Sequence, residues 1–161
     1  MVIAVGSRLP DASFRTVTPS GPTTKTTADV FAGKRVVLFA VPGAFTPTCN
    51  NNHLPGFLAT ADAFKAKGID TVACTAVNDA FVLDAWSKAT GAGDKIVFLA
   101  DGNGEFARAL GLEFDGSASG LGIRSQRYAM LVDDGVVKIL NVEEARGKVE
   151  NSAAETLLEA I

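Results

Sequence analysis

The sequence predicts an α/β fold: a central mixed sheet with helices on both faces and an N-terminal hairpin. Three observations carry that reading. Apolar strand segments alternate with helical ones through the middle of the chain, which places parallel strands at the centre of a sheet with helices against both faces. Val36 to Val41 is an unbroken apolar run directly before Pro42-Gly43, as suits a strand buried on both sides. Asp134-Gly135 separates two β-prone runs and signals a two-residue turn, adding antiparallel strands at one side.

Taken in order, residues 1 to 28 mix β-prone pieces (Ala12 to Val17) with Pro10, Pro19, Gly21 and Pro22, and read as a hairpin or extended arm. Ala28 to Phe31 makes one helical turn. The buried strand follows, and then a helix from Cys49 whose apolar residues Phe57, Leu58, Ala61, Phe64 and Ala66 recur at helical spacing until Gly68. Pro55 lies inside that helix and should kink it. Ile69 to Val77 is a second strand, and Asn78-Asp79 caps a helix over Ala80 to Thr90. Lys95 to Ala100 is a third strand, with a short helix from Gly104 to Leu110. Glu113 to Arg127, rich in glycine and serine, reads as an ordered loop. Tyr128 to Asp133 and Val136 to Val142 form the hairpin, and Ser152-Ala-Ala-Glu155 is a capping box opening the last helix. This order is a thioredoxin-like arrangement, expected as a single domain over residues 1–161, with no repeat or linker.

A chain of 161 residues that is 47% hydrophobic can fill one core. Its net charge of -3, with scattered lysines and arginines, argues against a nucleic-acid partner. No apolar run approaches the ~20 residues of a membrane span, and MVIAVGSRLPDASF lacks the basic region of a secretory signal. With two cysteines the expectation is a reducing, cytoplasmic setting, where a thiol is more often catalytic or redox-active than structural.

Chemistry gathers at Cys49. Thr46, Pro47 and Thr48 supply a hydroxyl at the N-cap and a proline at the first helical position, which puts the thiol at a helix start. There the unpaired N–H groups and the aligned peptide dipoles favour an anion. Such placement draws a thiol pKa from ~8.5 to between ~3.5 and ~7.5, so Cys49 is expected to be partly or mostly ionised near neutral pH. The plainer alternative, a small buried hydrophobe, is on position alone an equal reading, against which stand the polar flanks Thr46, Thr48, Asn50, Asn51 and Asn52.

The run Pro42-Gly-Ala-Phe-Thr46-Pro-Thr-Cys49 resembles the peroxidatic motif of peroxiredoxins. His53-Leu-Pro-Gly-Phe57, Val77-Asn-Asp-Ala-Phe81 and Gly120-Leu-Gly-Ile-Arg124-Ser-Gln-Arg127-Tyr128 are similar to their type II, atypical two-cysteine branch, with similarity from Gly6 to the final helix. The resemblance implies a thiol peroxidase acting on hydrogen peroxide and alkyl hydroperoxides, with no cofactor and no metal. Cys49 is then the nucleophile, Thr46 holds thiolate and peroxide, Arg124 supplies guanidinium donors, and Pro42 packs over the sulfur. Arg127 lies close by and competes for the arginine's role, and a surface ion pair is the plainer account of Arg124.

Other features carry alternatives of their own. His53, the only histidine, reads as a rim or interface residue; a Cys-His hydrolase dyad or a zinc site would need partners the composition hardly supplies. Gly102-Asn-Gly104-Glu-Phe-Ala107 formally fits a dinucleotide pattern, but a tight turn explains its glycines. Cys74, 25 residues after Cys49 as in plant-like members of the branch, is the possible resolving cysteine. It lies in an apolar strand, however, where an inert buried thiol is an equal alternative. The resemblance allows thioredoxin, glutaredoxin or glutathione as reductant; glutathione with glutaredoxin is preferred because Cys74 looks buried. It also implies a homodimer, with Phe45, Trp86 and the Gly116 to Gly122 loop as contacts. The rival function is a peroxide sensor or holdase that uses Cys49 without sustained turnover.

Overall fold

A computed structural model describes residues 1–145 and 147–161. The buried run becomes β3 (Arg35–Ala40), an interior strand of the sheet at the border between its parallel and antiparallel parts. Its side chains alternate between two apolar clusters: Val37 and Phe39 enter one, Val36, Leu38 and Ala40 the other. β3 pairs in parallel with β4 (Thr71–Ala76), which pairs in parallel with β5 (Val97–Ala100). On its other side β3 meets β8 (Tyr128–Asp133), which runs antiparallel and continues to β9 (Val136–Val142). The arm is a hairpin of β1 (Ser13–Thr18) and β2 (Gly21–Thr26), attached to β5 through Arg15 opposite Ala100. The seven strands run β2-β1-β5-β4-β3-β8-β9.

Helices cover both faces, as expected. α1 (Thr27–Phe31) and α4 (Glu105–Leu110) bury Val30, Phe31, Phe106 and Leu110 on one side. α2 (Leu54–Ala66), α3 (Ala80–Thr90) and α5 (Ala154–Ala160) bury Leu54, Phe57, Phe64, Leu83, Trp86 and Leu157 on the other. Asp79 caps α3 by accepting from Val82 N at 2.9 Å. Asp134 and Gly135 have φ of 47° and 78°, the left-handed pair that a twisted two-residue hairpin demands.

Three expectations need correction. The segment from Glu113 holds a small second sheet, β6 (Glu113–Asp115) against β7 (Ile123–Ser125), which strand length and glycine content concealed. A Cβ on Gly116 would come within 2.9 Å of Leu121, so the tight connection between them requires glycine. The capping box does not form: Ser152 Oγ donates to Glu143 Oε2, and α5 starts without a side-chain cap. Trp86 is fully buried, not a surface contact. The glycine pair near α4 has a structural purpose, since the Asp101 carboxylate already accepts from Phe106 N and Ala107 N.

Candidate active site

The chain leaves β3 through buried Val41 and Pro42 and turns back at Phe45, whose φ of 63° is left-handed and strained for an aromatic residue. Asn78 Oδ1 accepts from Ala44 N at 2.9 Å and pins this turn to the end of β4. Pro47 and Thr48 are helical, but the next turn, Cys49–His53, is a π-turn in which Leu54 N bonds Cys49 O. Pro55 explains it: an α-turn would press its ring against the Asn51 carbonyl, and the wider turn relieves that clash. The proline therefore sits at the start of α2 instead of kinking one long helix.

Cys49 lies at the start of this turn with its side chain fully buried. Arg127 Nη2 donates to its sulfur at 3.0 Å, and Arg127 Nη1 donates to His53 Nδ1 at 2.9 Å. Because Nδ1 accepts, the proton of the neutral ring sits on Nε2, which donates to Ser152 O at 2.9 Å. Burial first, and the Arg127 charge second, push the His53 pKa down to about 3, so the ring stays neutral. Its faces are held by Phe39 and Phe57, with centroids 5.1 and 5.5 Å away. Ser152 is fixed in turn by Glu143, whose carboxylate accepts from the amides of Glu150, Asn151 and Ser152 and from Ser152 Oγ. Burial raises that carboxyl, but these hydrogen bonds outweigh it and hold it below its ordinary range.

The structure redistributes the expected roles. Arg127, not Arg124, reaches the sulfur. Arg124 sits in β7 opposite Phe114 and donates to Leu121 O at 2.9 Å and Pro42 O at 3.4 Å. The signal that distinguishes them is register: Ala40 pairs with Tyr128, so the residue just before β8 lies beside the point where the Cys49 loop leaves β3. His53 is buried rather than on a rim, and its Nδ1 faces Arg127 instead of the thiol, so a hydrolase dyad does not form. Both ring nitrogens are engaged, which leaves none for a metal. Among the described residues no group of three or more histidine, cysteine or carboxylate side chains is placed to hold a metal ion. Thr46 does not cap with its hydroxyl, which donates to Gly43 O at 2.7 Å; its carbonyl accepts from Asn50 N. Pro42 is buried beside it, and a cleft of about 200 Å³ lined by Pro42, Thr46, Pro47, Thr48, Leu121 and Arg127 opens to solvent.

Cys74 lies in β4 between Phe39 and Phe98, on the sheet face that also covers Cys49. Both thiols are free and buried. Burial drives the Cys74 thiol well above its usual pKa and nearby Cys49 adds to this, so Cys74 is held as a neutral apolar group.

Comparison with known proteins fits this geometry. The Redoxin family profile matches residues 4–158. Peroxiredoxin-2E, chloroplastic, of Arabidopsis thaliana is 52% identical over 99% of this chain and 69% of its own length. The chain belongs to the peroxiredoxin family. Among solved peroxiredoxins, reduced Prx3 of Vibrio vulnificus in complex with hydrogen peroxide superposes with a TM-score of 0.94 at 53% identity, covering 99% of both chains. Peroxiredoxin 5 of Alvinella pompejana gives 0.86 at 41% identity over 98% of this chain and 97% of its own. As a peroxiredoxin, the chain is a thiol peroxidase with Cys49 at the centre of its buried polar network.

Proposed function

We propose that this peroxiredoxin reduces hydrogen peroxide and alkyl hydroperoxides at Cys49 and is recycled by glutathione with glutaredoxin. The observation that carries the first part is the 3.0 Å hydrogen bond to the buried Cys49 sulfur from Arg127, which itself lines a small cleft with Pro42 and Thr46. The thiolate attacks the terminal peroxide oxygen, an S–O bond forms as the O–O bond breaks, and hydroxide or alkoxide leaves to take up a proton. Arg127 is fixed before reaction by His53, so its donors meet the charge as it moves from sulfur to oxygen without reorganising. Thr46 Oγ1 gives its proton to Gly43 O and keeps lone pairs to accept the peroxide's O–H.

The second part rests on Cys74, whose burial and neutrality make it a poor resolving thiol. A homodimer is supported by Phe45, 51% exposed at the tip of the active-site turn. The two free thiols suit a reducing compartment such as the cytosol. Coupled assays with each reductant test the reading. Sustained peroxide consumption with glutathione and glutaredoxin, abolished in Cys49→Ser, is expected. A single turnover with every reductant would mean a sensor or holdase, and consumption with thioredoxin alone would displace glutaredoxin.

A further inference from the structure

Glu143 closes a circuit of hydrogen bonds around the arginine that reaches Cys49. It follows directly on β9, where Val142 pairs with Tyr128, so it lies beside Arg127 across the two strands. Its amide donates to Arg127 O at 2.9 Å, and its carboxylate accepts from Ser152 N at 2.9 Å and from Ser152 Oγ at 2.6 Å. Ser152 O accepts from His53 Nε2, and His53 Nδ1 accepts from Arg127 Nη1, which returns the bonds to the residue where they began. All four residues are buried. We propose that Glu143 is a positioning residue for Cys49 oxidation: through Ser152 it fixes the tautomer of His53, and through that tautomer the direction of the Arg127 guanidinium. This rests on the peroxidase reading above.

Donors and acceptors decide the arrangement. A guanidinium only donates, so the ring nitrogen that faces Arg127 must keep its lone pair and the ring proton must sit on Nε2. A neutral imidazole can carry its proton on either nitrogen, and the hydrogen bond made by one nitrogen decides the state of the other. Here that bond goes to the Ser152 carbonyl, a backbone group whose aim depends on the turn over residues 150–152. The Glu143 carboxylate sets that aim by taking three successive amides, those of Glu150, Asn151 and Ser152. A carboxylate is costly to bury without such donors, and none of them touches the thiol; what they share is the placement of the Ser152 carbonyl. With the proton on Nδ1 instead, N–H would face N–H, and the guanidinium would turn away from ring and sulfur together.

The experiment measures, in reduced parent, Glu143→Ala and Thr156→Val, the rate of Cys49 oxidation by hydrogen peroxide and the isotope-edited infrared bands of the imidazole, which differ between tautomers. Thr156 Oγ1 donates to Glu150 O in the same turn but lies outside the circuit, so its loss reads loosening of the turn alone. In Glu143→Ala the rate falls by about 2- to 12-fold, the worth of one neutral hydrogen bond, and the Nδ1-protonated ring appears. Thr156→Val keeps the rate and tautomer of the parent. Glu143→Gln retains one acceptor oxygen for Ser152 and shows both changes at smaller size, which carries the test should the alanine variant not fold. In His53→Asn, where no imidazole is left to orient, adding Glu143→Ala lowers the rate no further. An unchanged tautomer in both Glu143 variants, an equal fall in Thr156→Val, or the full loss of rate on top of His53→Asn overturns the proposal and leaves the peroxidase reading standing. A parent protein whose Cys49 hydrogen peroxide does not oxidise removes both.

Discussion

Replacing Arg127 by glutamine removes the guanidinium that donates to the Cys49 sulfur at 3.0 Å and to His53 Nδ1 at 2.9 Å. Hydrogen bonds to a charged group contribute about 1.5–3 kcal/mol. At roughly 1.36 kcal/mol per tenfold in rate, first oxidation of Cys49 should slow by about 10- to 150-fold. The companion variant is Arg124→Gln, which loses only bonds to the carbonyls of Leu121 and Pro42. Its rate should stay within about 3-fold of the parent, as for substitutions outside the reacting groups. The assay is a stopped-flow measurement of second-order oxidation by hydrogen peroxide, with sulfenic acid confirmed by intact mass. A larger loss in Arg124→Gln than in Arg127→Gln would refute the assignment made from the register of β8.

Three further outcomes follow from the same contacts. One equivalent of hydrogen peroxide, without reductant, should add one oxygen to the parent protein and to Cys74→Ser alike; loss of two hydrogens in the parent alone would show that Cys74 resolves Cys49. His53 has a folded pKa of about 3, below its value of 6.5 when unfolded, so the unfolded chain binds the extra proton between these values. Stability is therefore full above pH 6.5 and declines as pH falls toward 3, at up to about 1.4 kcal/mol per pH unit from this group. Urea unfolding between pH 5 and 6.5 should show that slope in the parent and a shallower one in His53→Asn; equal slopes would place the titration elsewhere. Glu143→Gln weakens the bonds that fix Glu150, Asn151 and Ser152, and should cost about 2 kcal/mol, or roughly 4 to 8 °C in Tm by calorimetry.

What the sequence revealed was what local chemistry decides. The run before Pro42 could only be a doubly covered strand, Asp79 had an amide three residues on to cap, and Asp134-Gly135 supplied the left-handed pair its hairpin needs. Cys49 at a helix start belongs to the same class. The misreadings come where a distant partner outcompetes a local one. Ser152 has Glu155 three residues on, but Glu143 is held in place by three amides and takes the hydroxyl. Arg124 and Arg127 are alike in the sequence, and only the pairing of β8 with β3 brings one of them over the thiol. His53 reads as a rim residue in the sequence because nothing local shows that its side of the turn is the core face, closed by Phe39 and Phe57.

The chain contains a single histidine, and it sits inside the catalytic network with both nitrogens engaged. An unlabelled sample therefore yields one pair of imidazole carbon-bound proton resonances, which need no assignment. Their shifts report on Arg127 and Ser152 at once, so each redox state of Cys49 that disturbs the guanidinium writes its own signature there. Histidine-directed acylating reagents should find no target while the turn is closed, and the rate at which they do react counts the openings through which a reductant must pass.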